Sequence, residues 1–108
     1  MKKSPARCCP TTNLAAVIEL LWSGGCGALP VVDASGKIAG IITDRDICVA
    51  LCSRDRRPSE LTAEQAMFRG VAICRSSDEI HAALKIMQER KVRRIPVVGE
   101  TGKLVGIF

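Results

Sequence analysis

Two polar side chains near the middle of the chain have a spacing that can do chemistry. Thr43 and Asp46 are three residues apart, at the point where an apolar run gives way to a polar stretch. This is the spacing of a capping box, in which the two side chains bond to amides that the first turn of a helix leaves free. The pair therefore predicts a helix start, and its hydroxyl and carboxylate are also candidates for contacts with a ligand.

Side chains suited to catalysis or to metal binding are few. His81 is the only histidine, and we expect it to lie on a solvated helix surface. The cysteines form no pair spaced by two residues, so a structural zinc site lacks its usual pattern, and we expect most of them to be small buried hydrophobes. They are Cys8, Cys9, Cys26, Cys48, Cys52 and Cys74. With no nucleophile–histidine arrangement and no phosphate-cradling loop, an enzyme is the class least favoured.

Composition narrows the class of protein further. The chain has 108 residues, of which 47% are hydrophobic, and a formal net charge of +5 that favours anionic partners. Aromatic residues make up only 3%, which disfavours a stacking surface for nucleic acid. No apolar run approaches the ~20 residues of a membrane span, and the basic start of the chain is not followed by the apolar core of a signal peptide. We expect a cytoplasmic protein with reduced thiols.

The chain contains an internal repeat with an offset of 66 positions. Residues 29–42 align without a gap on residues 95–108, with identical Pro, Val, Val, Gly, Lys, Gly and Ile at matched places. The same register brings Cys8 onto Cys74 and a helical stripe (Leu14, Ile18, Leu21) onto a second one (Ile80, Leu84, Met87). Two similar units in one chain are therefore predicted, and we place them at residues 1–57 and 58–108.

Each unit is predicted to contain a helix followed by a hairpin. In the first, Thr11 or Thr12 caps a helix that ends at residues 23–25, where glycine accepts the left-handed conformation. Residues 29–32 and 38–43 are strands joined by a turn at Gly36, and a second helix follows Thr43. Residues 53–59 are a polar linker, a capping box at Thr62 starts a short helix, residues 71–74 form a strand, and Ser76 caps the helix of the second unit.

These motifs resemble the CBS (cystathionine-β-synthase-type) domain family, arranged as the tandem pair called a Bateman module. The resemblance rests on residues 27–46 of the first unit and on residues 91–98 and 102–107 of the second. It implies a mixed α/β fold of two β-α-β-β-α repeats, the second lacking its last helix because the sequence stops at Phe108. It also implies a regulatory binding module without catalysis, commonly a homodimer.

The family's ligand motif is complete in the first unit, at residues 40–46. By the resemblance, Asp46 accepts hydrogen bonds from ribose hydroxyls and the Thr43 hydroxyl contacts the ribose or phosphate of an adenine nucleotide (AMP, ADP or ATP) or of S-adenosylmethionine. The helix start favours an anion there. The other implied contacts are Gly27, Ala28, Leu29, Pro30 and Ile42 around the adenine, and Arg93, Arg94 and Arg45 as partners of phosphate, whose geometry suits arginine.

One alternative uses the same residues without a ligand. Thr43 and Asp46 then serve only as a helix cap, and the basic residues form an ordinary solvated face. The protein would in that case be an oligomerisation or scaffold module. Trp22, at the end of the first helix, is interpreted as a packing residue or an interface anchor in either case.

Overall fold

The computed structural model describes residues 2–3, 5–25, 27–75, 80–91 and 94–107. The elements in chain order are β1 (Lys2–Lys3), α1 (Leu14–Gly24), β2 (Ala28–Val32), β3 (Ile38–Thr43), α2 (Asp44–Arg54), a 3₁₀ turn (Pro58–Glu60), α3 (Ala63–Ala66), β4 (Cys74–Arg75), α4 (Ile80–Arg90), β5 (Pro96–Val98) and β6 (Leu104–Ile107). Both ends of α4 lie 66 positions after the ends of α1. The predicted mixed α/β fold built from two similar units is confirmed.

The two sheets have the same strand order once isolated bridges are included. One sheet has four strands in the order β1-β6-β5-β4, and the other contains β2 and β3. Cys8 extends this second sheet beside Val31, and Phe68 extends it beside Ile41 on the other edge. Phe68 lies 66 positions after Lys2, which pairs with Ile107 in β6. The sheet of each half is therefore completed by the segment that precedes the other half.

The helix ends follow local capping rules. Thr43 is the N-cap of α2, and its predicted capping box with Asp46 is present. Gly25 closes α1 in the left-handed region, with φ 61°. The N-cap of α1 is Asn13, whose Oδ1 accepts a hydrogen bond of 3.0 Å from the Ala16 amide. The prediction of Thr11 or Thr12 was wrong because asparagine caps as well as threonine and stands directly before the first helical residue. The predicted cap at Ser76 lies outside the described residues.

The buried face of α1 differs from the predicted stripe. Leu14 and Val17 are completely buried, whereas Ile18 is 39% exposed. In α4 the same shift occurs, because Ala83 is buried and Leu84 is 53% exposed. Because Val17 and Ile18 are both apolar, the buried stripe could continue from Leu14 by a step of three or of four residues. In the folded protein the step is three.

Two hydrophobic cores lie one in each half of the chain. The larger core includes residues that follow the predicted unit boundary at residue 57, among them Leu61 and Ala63. The polar linker is shorter than predicted, because Ser53 still belongs to α2. The strand predicted at residues 71–74 is formed only by Cys74 and Arg75. The placement of the boundary itself stays a prediction.

The described cysteines and the histidine are divided between buried and exposed positions. Cys8 and Cys74 are buried, as expected of small hydrophobes, but Cys9, Cys48 and Cys52 are exposed. The expectation that most cysteines are buried was therefore wrong for three of these five residues, and Cys26 lies outside the described part. His81 is exposed on α4, as expected.

The two halves meet along the hairpin turns. Lys37 forms an isolated antiparallel bridge with Lys103, its own counterpart in the repeat. The Leu104 amide donates a hydrogen bond of 3.2 Å to the carbonyl of Gly36. Since a residue paired with its repeat equivalent marks an approximate twofold axis, the halves are related by rotation about this bridge.

Candidate functional site between the two halves

The side chains of β3 point alternately to two faces of its sheet. Ile42 is completely buried in the larger core. Because successive side chains of a strand point in opposite directions, Ile41 and Thr43 share the other face. On the paired strand β2, Pro30 lies opposite Ile41 and Ala28 lies opposite Thr43. Thr43 is therefore placed, with these neighbours, on the sheet face directed away from the core of its own half.

Thr43 and Asp46 satisfy one another in this structure. Oδ2 of Asp46 accepts hydrogen bonds of 2.9 Å from the Thr43 amide and from the Thr43 hydroxyl. The Asp46 amide donates to the Thr43 hydroxyl oxygen over 3.2 Å. Both residues are half-buried. The pair thus caps the start of α2 through Oδ2. The other carboxylate oxygen, Oδ1, takes no part in these hydrogen bonds, and a carboxylate can accept bonds at both oxygens.

A small cavity of about 160 Å³ lies where the two halves and the connecting segment meet. It is lined by Ile41 from β3, by Arg90 and Arg94 around the end of α4, and by the connecting residues Phe68, Gly70, Val71 and Ala72. A guanidinium nitrogen of Arg90 donates to the carbonyl of Gly70 over 3.5 Å. Two cationic side chains therefore border an otherwise apolar cavity, on the face of β3 that also carries Thr43.

The structure brings some of the predicted residues together and separates others. Arg94 shares the cavity with Ile41, two residues from Thr43. Leu29 and Ile42 belong to the core, which leaves only their backbone for a ligand on the opposite face. Gly27 lies instead in a groove between α1 and α2. Arg45 is exposed on α2.

The remaining predicted contacts divide into buried strand residues and one residue outside the description. Ala28 is 3% exposed, and Pro30 is among the fully buried side chains of β2. Both stand on the strand that pairs with the Thr43 end of β3. Arg93 lies outside the described residues.

Sequence analysis missed the part of the wall contributed by the connecting segment. The Ile41 amide donates to the Phe68 carbonyl over 3.0 Å, and the Phe68 amide donates to the Ile41 carbonyl over 2.8 Å. A Cβ atom at Gly40 would approach the Phe68 carbonyl oxygen to 2.9 Å and the Met67 sulfur to 2.7 Å. The repeat register contained a signal, because Phe68 aligns with Lys2. The two residues hold equivalent positions, each on the edge of the other half's sheet.

Comparison with known proteins identifies the family. The CBS domain model matches residues 1–53 and again residues 63–108. The chain belongs to the CBS domain family. This confirms the resemblance drawn from the paired motifs.

Related proteins share the fold over nearly the whole chain. An uncharacterized protein of Methanopyrus kandleri is 31% identical over 98 residues, which are 91% of this chain and 50% of that protein. The crystal structure of hypoxic response protein I with two coordinated zinc ions matches with a TM-score of 0.88 and 28% identity, over 99% of this chain and 86% of that one. CBSX2 in complex with AMP matches with a TM-score of 0.85 and 26% identity, over 100% of this chain and 84% of that one.

The chain spans about half the length of the curated relatives it matches first, at 50% and 58% of the first two. Among the described residues, no helix has the length and apolar character that a membrane crossing requires.

Proposed function

We propose that this CBS pair is a regulatory module that binds an adenine nucleotide or S-adenosylmethionine between its two halves and has no catalytic step of its own. The observation that carries the proposal is the position of Thr43. It shares a sheet face with Ile41, which lines the cavity bordered by Arg90 and Arg94. A hydroxyl, a carboxylate and two guanidinium groups around an apolar wall suit a nucleoside with an anionic group.

Each predicted residue has a role in this proposal. Asp46 accepts hydrogen bonds from the ribose diol, and Thr43 contacts the ribose or phosphate. Arg94, with Arg93, binds phosphate, because the planar guanidinium donates two parallel hydrogen bonds. The backbone of residues 27–30 and of Ile42 lies against the adenine, and Arg45 is a further cation near the start of α2.

Binding requires the cavity to widen. Pockets that enclose small molecules usually measure about 300–1,000 Å³, whereas this cavity measures about 160 Å³. Two of the side chains that line the cavity, Phe68 and Arg94, are exposed to solvent, Phe68 by 55% of its surface. A ligand that holds the halves in the wider arrangement would shift the equilibrium between arrangements by its difference in affinity for them. This is the physical basis proposed for regulation.

The comparisons support this class of ligand. CBSX2, which covers the whole of this chain at 26% identity, was crystallised with AMP. Which adenosyl compound this chain prefers is the part that the experiment must decide.

The test is isothermal titration calorimetry with AMP, ADP, ATP and S-adenosylmethionine on the wild type and on Asp46→Ala. Loss of a carboxylate that accepts ribose hydrogen bonds should weaken binding about 10-fold or more, at about 1.5–3 kcal/mol per bond to a charged group. Absence of heat with all four compounds at millimolar concentration would reject the proposal.

A matched control separates binding from helix capping. Gln65→Ala removes the equivalent bond in α3, where Gln65 Oε1 accepts from the Thr62 amide over 2.9 Å. This variant should lose stability to a similar degree and keep its nucleotide affinity. If Gln65→Ala and Asp46→Ala weakened binding equally, Asp46 would be acting only through stability.

The capping box favours a second candidate function, a ligand-free oligomerisation or scaffold module. In the structure the Thr43 hydroxyl and Asp46 Oδ2 already bond to one another. Under this alternative Asp46→Ala lowers the free energy of unfolding by about 0.5–2 kcal/mol, and no nucleotide raises the melting temperature. Thermal melts with and without the four compounds distinguish the two functions.

We further propose that the protein acts in the cytoplasm as a homodimer. Trp22 is 87% exposed and Ile18 39% exposed on α1, and exposed apolar side chains in one area are typical of protein interfaces. Sedimentation equilibrium should give a mass of about twice 11.6 kDa. A monomer at all concentrations would contradict the dimer.

A further inference from the structure

Two exposed cysteines lie one turn apart on α2. Cys48 and Cys52 are both accessible to solvent. Together with Val49 and Ser53 they line one depression on the outer surface of this helix. Neither residue is among the proposed nucleotide contacts, the nearest of which along the chain is Asp46 in the first turn of the same helix. The pair therefore needs its own explanation.

Helix geometry decides what the two thiols can do together. Side chains four residues apart on a helix have Cβ atoms about 5–6 Å apart. A disulfide requires Cβ atoms about 3.5–4.5 Å apart, so a direct S–S bond would distort α2. Two bonds of about 2.3 Å from sulfur to a single bridging atom allow the sulfurs to be up to about 4.6 Å apart, which the helix accommodates. One bridging atom fits where a disulfide does not.

We propose that Cys48 and Cys52 form a binding site for one soft, thiol-seeking atom held by two thiolates. Within the described part of the chain, no histidine, carboxylate or further cysteine joins these two thiols to form a cluster of three. Two sulfur ligands suit a soft monovalent cation such as Cu(I), because thiolates select soft metals. They also suit a trivalent arsenical that carries one organic group.

The covalent case balances without any oxidant. Phenylarsine oxide reacts with two thiols to form two As–S bonds, its arsenic–oxygen bond breaks, and the two thiol protons leave with that oxygen as one water. Arsenic stays trivalent throughout, and neither sulfur is oxidised. The chelate is favoured over two separate attachments because the second thiol is already held close to the first.

The chain provides both an internal reporter and a matched control. Trp22, the only tryptophan, lines with Cys48 the groove between α1 and α2, so a heavy atom on Cys48 should quench its fluorescence. Cys9 is exposed as well and lies far along the chain from this pair. Cys9→Ser therefore removes a reactive thiol without touching the site.

The experiment titrates the reduced full chain with phenylarsine oxide in one arm and with buffered Cu(I) in the other. Intact-mass spectrometry and free-thiol counts give the stoichiometry. We expect one arsenic per chain with the loss of two thiols, unchanged in Cys9→Ser, and roughly 100-fold or more weaker binding in Cys48→Ser and in Cys52→Ser. The arm that binds more tightly identifies the source of the soft atom.

Several results would overturn the proposal. They are failure of both probes to bind the wild type, binding by either single variant as tight as the wild type, loss of binding in Cys9→Ser, and arsenic that links two chains. Because nucleotide is absent from both titrations, these results are separate from the test of the nucleotide site. The serine variants change exposed positions, so circular dichroism should show the wild-type fold.

Discussion

Replacing Gly40 by alanine should destabilise the protein, because the added methyl group would overlap with the connecting segment at Met67 and Phe68. The added Cβ would lie 2.9 Å from the Phe68 carbonyl oxygen, closer than such contacts allow, so backbone must move. Overpacking of this kind costs about 1–3 kcal/mol. Displacing Phe68 also strains its two hydrogen bonds with Ile41, each contributing about 0.5–1.5 kcal/mol. We expect the free energy of unfolding to fall by about 2–4 kcal/mol.

Urea denaturation followed by circular dichroism measures this change. Gly27→Ala is the control, because a Cβ at Gly27 would have no atom within 4 Å. It should be neutral or slightly stabilising, since alanine restricts the unfolded chain more than glycine does. If Gly40→Ala unfolded within about 0.5 kcal/mol of the wild type, a cost well below overpacking values, the close approach would not constrain this position. The glycine of the family's ligand motif would then need another explanation.

Three further predictions concern capping, pH and thiol reactivity. Asn13→Ala should lower the free energy of unfolding by about 0.5–2 kcal/mol, while Thr11→Ala should leave it unchanged. If urea denaturation showed Thr11→Ala to be the less stable variant, Thr11 and not Asn13 would be the cap of α1. Asp33→Asn should lower stability most at neutral pH. Hydrogen bonds from the Ser35 hydroxyl and the Lys37 amide hold the pKa of Asp33 below its ordinary 3.8. The stability that the carboxylate contributes is therefore present above pH 3.8 and is lost as the pH falls through the lower folded-state pKa. Melts from pH 7 to pH 3 should therefore show the two proteins converging, and a constant difference would contradict this. Burial raises the pKa of Cys8 to about 11, so a thiol reagent at pH 8 should label exposed Cys9 and leave Cys8 unmodified until the protein unfolds; a peptide map that finds Cys8 labelled in the folded protein would show that it is accessible.

The parts of the fold that could be predicted are those that neighbouring residues determine. The capping box of Thr43 and Asp46 depends on residues three apart, and the turn glycine Gly36, with φ 88°, adopts a conformation that glycine accepts most easily. The repeat offset then transferred each local pattern to the other half. This is why the bounds of β3 were predicted without error and why the order of α1, β2, β3 and α2 was right.

The parts that could not be predicted depend on contacts between distant residues. Val17 and Ile18 are equally apolar, and which of them is buried depends on residues that pack against α1 from elsewhere, such as Leu61. In the candidate site, Phe68 reaches the edge of β3 across 27 residues of chain, from Ile41 to Phe68. Arg90 borders the same cavity from the end of α4. No spacing within a motif contains this information, since it arises only when the two halves close on one another.

The pairing of Lys2 with Ile107 joins β1 to the sheet of the second half. Because α1 packs in the core of the first half, the chain between β1 and α1 passes from one half to the other. This is a second covalent crossing, beside the one that runs from α3 to β4. Any rotation of one half against the other would have to be absorbed in both crossings at once.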